Sequence, residues 1–144
     1  DQYALPALAI RLEITETVGI ANLTDAALFI ERIREVGCRF SLDDFGSGMS
    51  SYGYLKHLPV DVVKIDGAFV KNLTAESSDY AVVKSVTEIA HFMNKKVVAE
   101  FVEHDEALQL LREIGVDYVQ GYMIDRPAPI DRLLKLAAVP ADSA

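Results

Sequence analysis

Residues 39–65 read RFSLDDFGSGMSSYGYLKHLPVDVVKI, and this stretch decides the fold. It opens with a short apolar strand over 39–43 that runs into the acidic pair Asp43 and Asp44. A loop rich in glycine and serine follows, then a short helical stretch over 52–57, a stop at Pro59 and a second strand over 61–65, DVVKI. Strand, crossover and strand in that order make a parallel β-α-β unit.

The same pattern extends in both directions. Upstream, residues 8–15 (LAIRLEIT) are a strand, and Thr24 caps a helix over 25–36 that stops at Gly37. Downstream, Val82, Val86, Ile89, Ala90 and Met93 recur at helical spacing, which predicts an amphipathic helix over 79–93 with one buried face. Residues 96–102 supply a fourth strand, 105–114 a helix ended by Gly115, and 117–123 (DYVQGYM) a fifth strand. Pro127 and Pro129 then lead to a last helix near 130–137. Five alternations without a low-complexity break predict one parallel α/β domain over 1–137, with 138–144 as a frayed tail. Two architectures fit: an open doubly wound sheet, complete with five strands, or a TIM-like (β/α)₈ barrel, which needs eight strands and ~250 residues and is then only partly present.

Composition narrows the function. The chain has 144 residues, 51% of them hydrophobic, and 22 acidic against 14 basic side chains, a formal charge of −8. That is enough apolar material for a real core. No apolar run approaches the ~20 residues of a membrane span. The first residues lack a secretion signal, and the single cysteine, Cys38, has no intramolecular partner, so a cytoplasmic setting is expected. A Lys/Arg surface for neutralising phosphates is not evident, which argues against a duplex DNA or RNA binder.

The polar residues collect at one edge. Glu13 and Glu16, Asp43 and Asp44, Lys64 and Asp66, Glu100 and Glu103, and Gln120 all fall at or just past the carboxyl end of a strand, where parallel α/β folds bind ligands. Strand alternation puts Glu13 with Thr15, Lys64 with Asp66, and Glu100 with Val102 on common sides. A lone acid at a strand end is usually a solvated loop residue or a helix cap. Five consecutive strands ending this way are expected to share a site, and carboxylates without a histidine cluster suit hard cations. Lys64 among them is either a structural ion pair or a cation positioned for a phosphate or a reacting water. His57, His91 and His104 share no spacing and read as surface or packing residues. Cys38 reads as a small buried hydrophobe, and Tyr52 and Tyr54 as packing or partner-contact residues. The glycines of DDFGSGMSS lack the spacing of a phosphate-binding loop.

Taken in order, EITE at 13–16, DDFGSGMSS at 43–51, VVKIDGAFV at 62–70, VVAEFVE at 97–103 and VQGYMIDRP at 119–127 resemble the EAL domain, the cyclic di-GMP-specific phosphodiesterase of bacterial signalling and biofilm control. The resemblance implies the carboxyl-terminal part of a modified (β/α)₈ barrel, about five βα units, and so favours the barrel over the open sheet. It implies that Glu13, Asp43, Asp44 and Glu100 hold divalent metal, two Mg²⁺ or Mn²⁺ per site with Ca²⁺ inhibitory. Glu100 and Lys64 would activate and position the water, and Glu16 would steady the loop after DDFG. Asp66, Glu103 and Gln120 would support the site or contact substrate. The implied partners are cyclic di-GMP, a second copy in a homodimer, and upstream sensory or GGDEF domains, with the parent protein in the cytoplasm or anchored to the inner membrane.

The chain departs from the family pattern in two ways. The strand bearing the name-giving E-A-L and the strand bearing a metal-binding asparagine are absent, while the tripeptide Glu106-Ala107-Leu108 falls inside a helix and is a coincidence. Phe101 stands where many members have glycine, which bears on the guanine pocket. The chain alone is therefore expected to hydrolyse little, and to associate through its open edges or recruit a missing half. A cyclic di-GMP receptor without turnover is the alternative function. A phosphoacceptor receiver domain fits poorly, because its acidic pair follows the first strand and its lysine the fifth.

Overall fold

Five parallel strands form one sheet in strict chain order: β1 (Arg11–Thr15), β2 (Arg39–Phe45), β3 (Val62–Ile65), β4 (Lys96–Ala99) and β5 (Tyr118–Val119). The computed structural model describes residues 6–47, 52–129 and 131–132, so the expected last helix and tail lie mostly outside the described residues. The order distinguishes the two architectures. A doubly wound sheet reverses its strand order at a switch point, whereas a barrel adds each strand beside the last, with right-handed crossovers on one face. The observed order is that of a barrel segment.

The connecting helices are α1 (Glu16–Ala21), α2 (Leu23–Glu35), α3 (Tyr52–Leu55), α4 (Ser78–Phe92) and α5 (Asp105–Ile114). Their limits follow local chemistry. Asn22 caps α2 by accepting from Asp25 N, so the helix begins two residues before the start that a Thr24 cap predicts. Ser77 caps α4 in the same way through Tyr80 N. Gly115, at φ +90°, ends α5 in the left-handed conformation, and this helix matches the 105–114 expectation. The sequence reading had no place for α1. Its six residues follow β1 directly, and their tertiary packing outweighs the modest helix preference of a segment containing Val18 and Gly19.

Alternation sorts the side chains. Phe40, Leu42, Val63, Ile65, Val97 and Ala99 join the buried cluster formed with the helices, which contribute Ile30, Leu55, Val83, Val86, Ala90, Ala107 and Leu111. Ser41, Asp43, Val62, Lys64 and Val98 have the opposite parity. The sheet edges are less covered: Leu12, Ile14, Val18, Ala26, Phe29 and Phe40 line an open groove of about 570 Å³ between β1 and α2. Among the described residues no helix is long and apolar enough to cross a membrane.

The amino-terminal ends of the strands are held by two aspartates that the sequence reading placed within strands 61–65 and 117–123. Each instead precedes its strand and accepts the neighbouring strand's N–H. Asp61 takes Phe40 N at 3.0 Å and pairs with Arg34 at 3.2 Å. Asp117 takes Val97 N at 2.9 Å, Lys96 Nζ at 2.6 Å and His91 Nε2 at 2.7 Å. Lys95, buried beside this layer, donates to the carbonyls of Leu58 and Val60, and its burial lowers its pKa.

Burial alone would raise the pKa of Asp117, but the bonds from Lys96, His91 and Val97 N outweigh it and hold the carboxyl below its ordinary value. A depressed carboxylate stabilises the fold above its unfolded-state pKa and loses that contribution as pH falls through its folded value. Asp117→Asn is expected to cost about 2 kcal/mol in urea unfolding at pH 7. The gap between mutant and parent should stay level down to about pH 5 and narrow below about pH 4. A gap independent of pH would show that the ionised carboxylate is not the stabilising species.

Candidate metal centre

At the carboxyl end of the sheet, Lys64 on β3 brings three strands together. Its Nζ lies 2.8 Å from Glu100 Oε1, 2.9 Å from Asp43 Oδ1 and 3.1 Å from Glu13 Oε1. The lysine and Glu100 are buried, while Glu13 is 48% exposed at the edge strand. Burial works against the charged ammonium, but pairing with Asp43, Glu100 and Glu13 dominates, and the pKa of Lys64 stands well above its ordinary value. The lysine is therefore a fixed cation.

Asp44 reaches the same centre through a break in the pleat. Leu42 pairs with Val63 and Phe45 with Ile65, so three steps on β2 oppose two on β3. Asp44 absorbs the extra residue at φ +56°. Leu42 and Phe45 both stay in the helix-side core, and the two acids between them turn toward the site. Oxygens of Asp43, Asp44 and Glu100 come within 4.8 Å of one another.

A second break occurs on β4. The sequence expectation that Glu100 and Val102 share a side does not hold: β4 ends at Ala99, and Phe101 takes φ +54°. Ala99 O accepts from Gln120 N, and Val102 N donates back to Gln120 O, so pairing resumes with one residue inserted. Ala99 and Val102 lie in the core, while Glu100 meets Lys64 and Phe101 is 57% exposed. The fifth strand is only Tyr118–Val119, which leaves Gln120 just beyond its end.

The remaining expected residues divide into two groups. Glu16, almost wholly buried, stands apart from the lysine cluster: Oε2 accepts from Gly46 N at 2.8 Å and Oε1 from Tyr54 Oη at 2.6 Å. It thus ties the turn after β2 to α3; residues 48–51 of that loop lie outside the described residues. Asp66 caps a 3-10 turn (Gly67–Phe69) by accepting from Ala68 N, and its charge also bears on Asp44. Phe101, Glu103 and Gln120 line a neighbouring cavity of about 220 Å³ together with Glu100, Gly121 and Tyr122. Sequence reasoning missed the last two. The signal for Gly121 was the Gln-Gly step: a Cβ there would lie 2.3 Å from Val102 N and O, so only glycine permits this approach. His57 and His104 are exposed, and His91 serves Asp117 at the other end of the sheet.

The donor set fits a hard divalent cation. All its atoms are carboxylate oxygens, and the buried Asp43 Oδ1 lies 2.9 Å from the Lys64 ammonium. Partial desolvation raises the pKa of Asp44, with Asp43, Asp66 and Glu13 adding to the effect and Lys64 opposing it. Burial raises that of Glu100, against Lys64. In both, burial is the first cause and the neighbouring carboxylates add to it.

Residues 1–127 match the EAL domain family. A curated relative, the cyclic di-GMP phosphodiesterase PdeB of Shewanella oneidensis, is 48% identical over 128 residues; the match covers 89% of this chain but only 15% of that protein. Among solved structures, the EAL domain of Mycobacterium smegmatis DcpA superposes with a TM-score of 0.87 at 33% identity, over 96% of this chain and 64% of that one. The manganese and cyclic di-GMP complex of Klebsiella pneumoniae BlrP1 gives 0.82 at 28% identity, over 88% of this chain and 32% of that one. These relatives are barrels of the (β/α)₈ type, and the five-stranded sheet is a partial barrel.

Millimolar Mn²⁺ or Mg²⁺ is expected to raise the urea midpoint of the chain, because a ligand held by the folded state alone stabilises it by mass action. Asp43→Asn and Glu100→Gln should each remove most of that gain. An equal gain in parent and both variants would place the ion elsewhere.

Proposed function

The chain belongs to the EAL domain family, and from that premise we propose that it forms the carboxyl-terminal part of a domain that hydrolyses cyclic di-GMP to linear pGpG. One observation carries the reading: a buried lysine held between Glu100, Asp43 and Glu13, with Asp43, Asp44 and Glu100 oxygens converging beside it.

In this reading Glu13, Asp43, Asp44 and Glu100 hold two Mg²⁺ or Mn²⁺ ions, which when bound supply Lewis-acid stabilisation of the attacking and leaving oxygens. Lys64, ionised throughout, orients the attacking water and keeps positive charge where the phosphodiester gains negative charge. Glu100, 2.8 Å from Lys64, accepts the proton of that water. As the water oxygen bonds to phosphorus, the bond from phosphorus to one ribose oxygen breaks, and that oxygen departs as a hydroxyl by taking a proton from solvent. Glu16 acts at a distance by holding the turn at Gly46, Glu103 and Gln120 border the substrate, and Asp66 supports the site from the cap of the 3-10 turn. Homodimerisation, an upstream sensory or GGDEF domain and a cytoplasmic site of action belong to the same reading.

The test is turnover by the intact protein that carries this sequence. With Mg²⁺ or Mn²⁺ it should convert cyclic di-GMP to pGpG, and EDTA should abolish this. Glu100→Gln should lower kcat by at least about 100-fold, the scale of general-base catalysis, at metal and substrate concentrations that saturate the variant. Folded protein that binds cyclic di-GMP yet yields no pGpG would replace the phosphodiesterase with a receptor.

A further inference from the structure

We propose that Phe69 is a positioning residue for Asp44: its ring fixes the turn at Gly46 and so holds the Asp44 carboxylate at the metal centre, a role that rests on the metal-site reading and deepens it. The need for such a support lies in the backbone. Asp44 stands at φ +56° and Gly46 at φ +100°, so the chain leaves β2 with two of three consecutive residues at positive φ. For an aspartate this conformation is tolerated rather than preferred, and it persists only where the surroundings over-determine it. Gly46 does not supply that constraint itself, because glycine has the widest choice of backbone conformations. The order comes from outside the segment.

Three contacts from three elements supply it. Glu16 accepts from Gly46 N at 2.8 Å, and Asp66 N donates to Phe45 O at 3.2 Å. These two bonds anchor the peptide groups on either side of Phe45. The Phe69 ring is the third contact: a Cβ built on Gly46 would lie 2.7 Å from Phe69 Cε2 and 3.3 Å from Cζ, so the ring edge occupies the place that a side chain would take. It stops Gly46 from turning into that space, and with it the peptide that leads back to Asp44.

The ring is itself fixed. It belongs to the 3-10 turn Gly67–Phe69, which Asp66 caps by accepting from Ala68 N at 2.8 Å, and Phe69 N donates to Asp66 O at 3.1 Å. At the start of the turn, buried Gly67 lies under the Phe101 ring with no room for a Cβ. Phe69 is half-buried and packs against the core. A turn braced by the end of β3 and by the chain just past β4 thus lends its rigidity to the end of β2. Those two neighbours carry Lys64 and Glu100, so Asp44 is held relative to the same frame as the groups it meets.

The intact protein without substrate tests this, with Mn²⁺ binding followed by loss of the free-ion paramagnetic resonance signal. Phe69→Ala should raise the Mn²⁺ Kd about tenfold, the lower end of what the supports of metal ligands contribute. Val86→Ala, which truncates a buried side chain of α4 away from this turn, should lower the urea midpoint and leave the Mn²⁺ Kd at the parent's. The decisive comparison is made in Asp44→Asn, where removing the ring as well should cost little further affinity, because a residue that acts through Asp44 has no carboxylate left to position. If Phe69→Ala does not fold, Phe69→Leu carries the same comparisons; it keeps most of the apolar volume but not the planar edge, and weaker Mn²⁺ binding is again expected. An unchanged Mn²⁺ Kd in the folded ring variant overturns the proposal, as does an equal fold-loss with and without the Asp44 carboxylate. Absence of Mn²⁺ binding by the parent, or binding that Asp44→Asn leaves intact, is a separate failure, that of the metal-site reading itself, and removes this role with it.

Discussion

Each strand of this sheet must serve two environments at once, and the period-two pleat that lets it do so is the constraint on which the structure depends. One parity goes to the core shared with the helices and is apolar throughout the central strands. The other carries Ser41, Asp43, Lys64 and Glu100. A strict pleat gives each strand end only one side chain in the site before the next returns to the core. At Asp44 and Phe101 the chain leaves the pleat, and each departure adds one more residue to the site without moving the following apolar residue, Phe45 or Val102, out of the core. The same device serves two strand ends that flank β3 on either side.

The charge on the site side has the wrong balance for a purely structural cluster. Four carboxylates, from Glu13, Asp43, Asp44 and Glu100, gather about one ammonium. Taking ionised groups out of water is costly unless they are paired; Asp43 and Glu100 are largely buried and share the one Lys64 ammonium, while Glu13 and Asp44 meet solvent. Structural ion pairs elsewhere in the chain are balanced: Asp61 faces Arg34, and Asp117 faces Lys96 and His91. The imbalance at the carboxyl end is a reason to look for cations there. Under the proposed function, divalent ions held there would reverse the local sign, so that a chain with formal charge −8 could take an anionic ligand.

Element type and order were legible because hydrophobic period and turn residues are local signals. The helix ending at Gly115 and the five strands emerge from them. So did the gathering of Glu13, Asp43, Lys64 and Glu100 at one edge, since parallel strands put their carboxyl ends there. Local signals do not reveal where a strand stops. The fifth strand reads as continuous through Met123, yet it has only two residues, because Gly121 packs its backbone against Val102 and the chain turns there. Nor do they reveal parity past a bulge: nothing in AEFVE announces that Phe101 reverses its sense, so Val102 was assigned the wrong side. Asp61 and Asp117 look like Asp43 in sequence, each an acid beside an apolar run. Only the direction of the strand separates an aspartate that caps a neighbour's N–H from one that faces the site.

That directional difference matters for how the strained residues are tolerated. A left-handed Asp or Phe costs of order 1–3 kcal/mol and persists only where its surroundings over-determine it. Both are held from either side: Leu42 and Phe45 are each registered against β3, and Ala99 and Val102 are each bonded to Gln120. At the opposite end, Asp61 and Asp117 tie β2 to β3 and β4 to β5, the strand pairs that contain these breaks. The acids at the amino end thus stabilise the registers that the carboxyl end strains. A site supported in this way has its carboxylates in position in the fold itself, so under the proposed function ligand binding would not have to supply the free energy of assembling them.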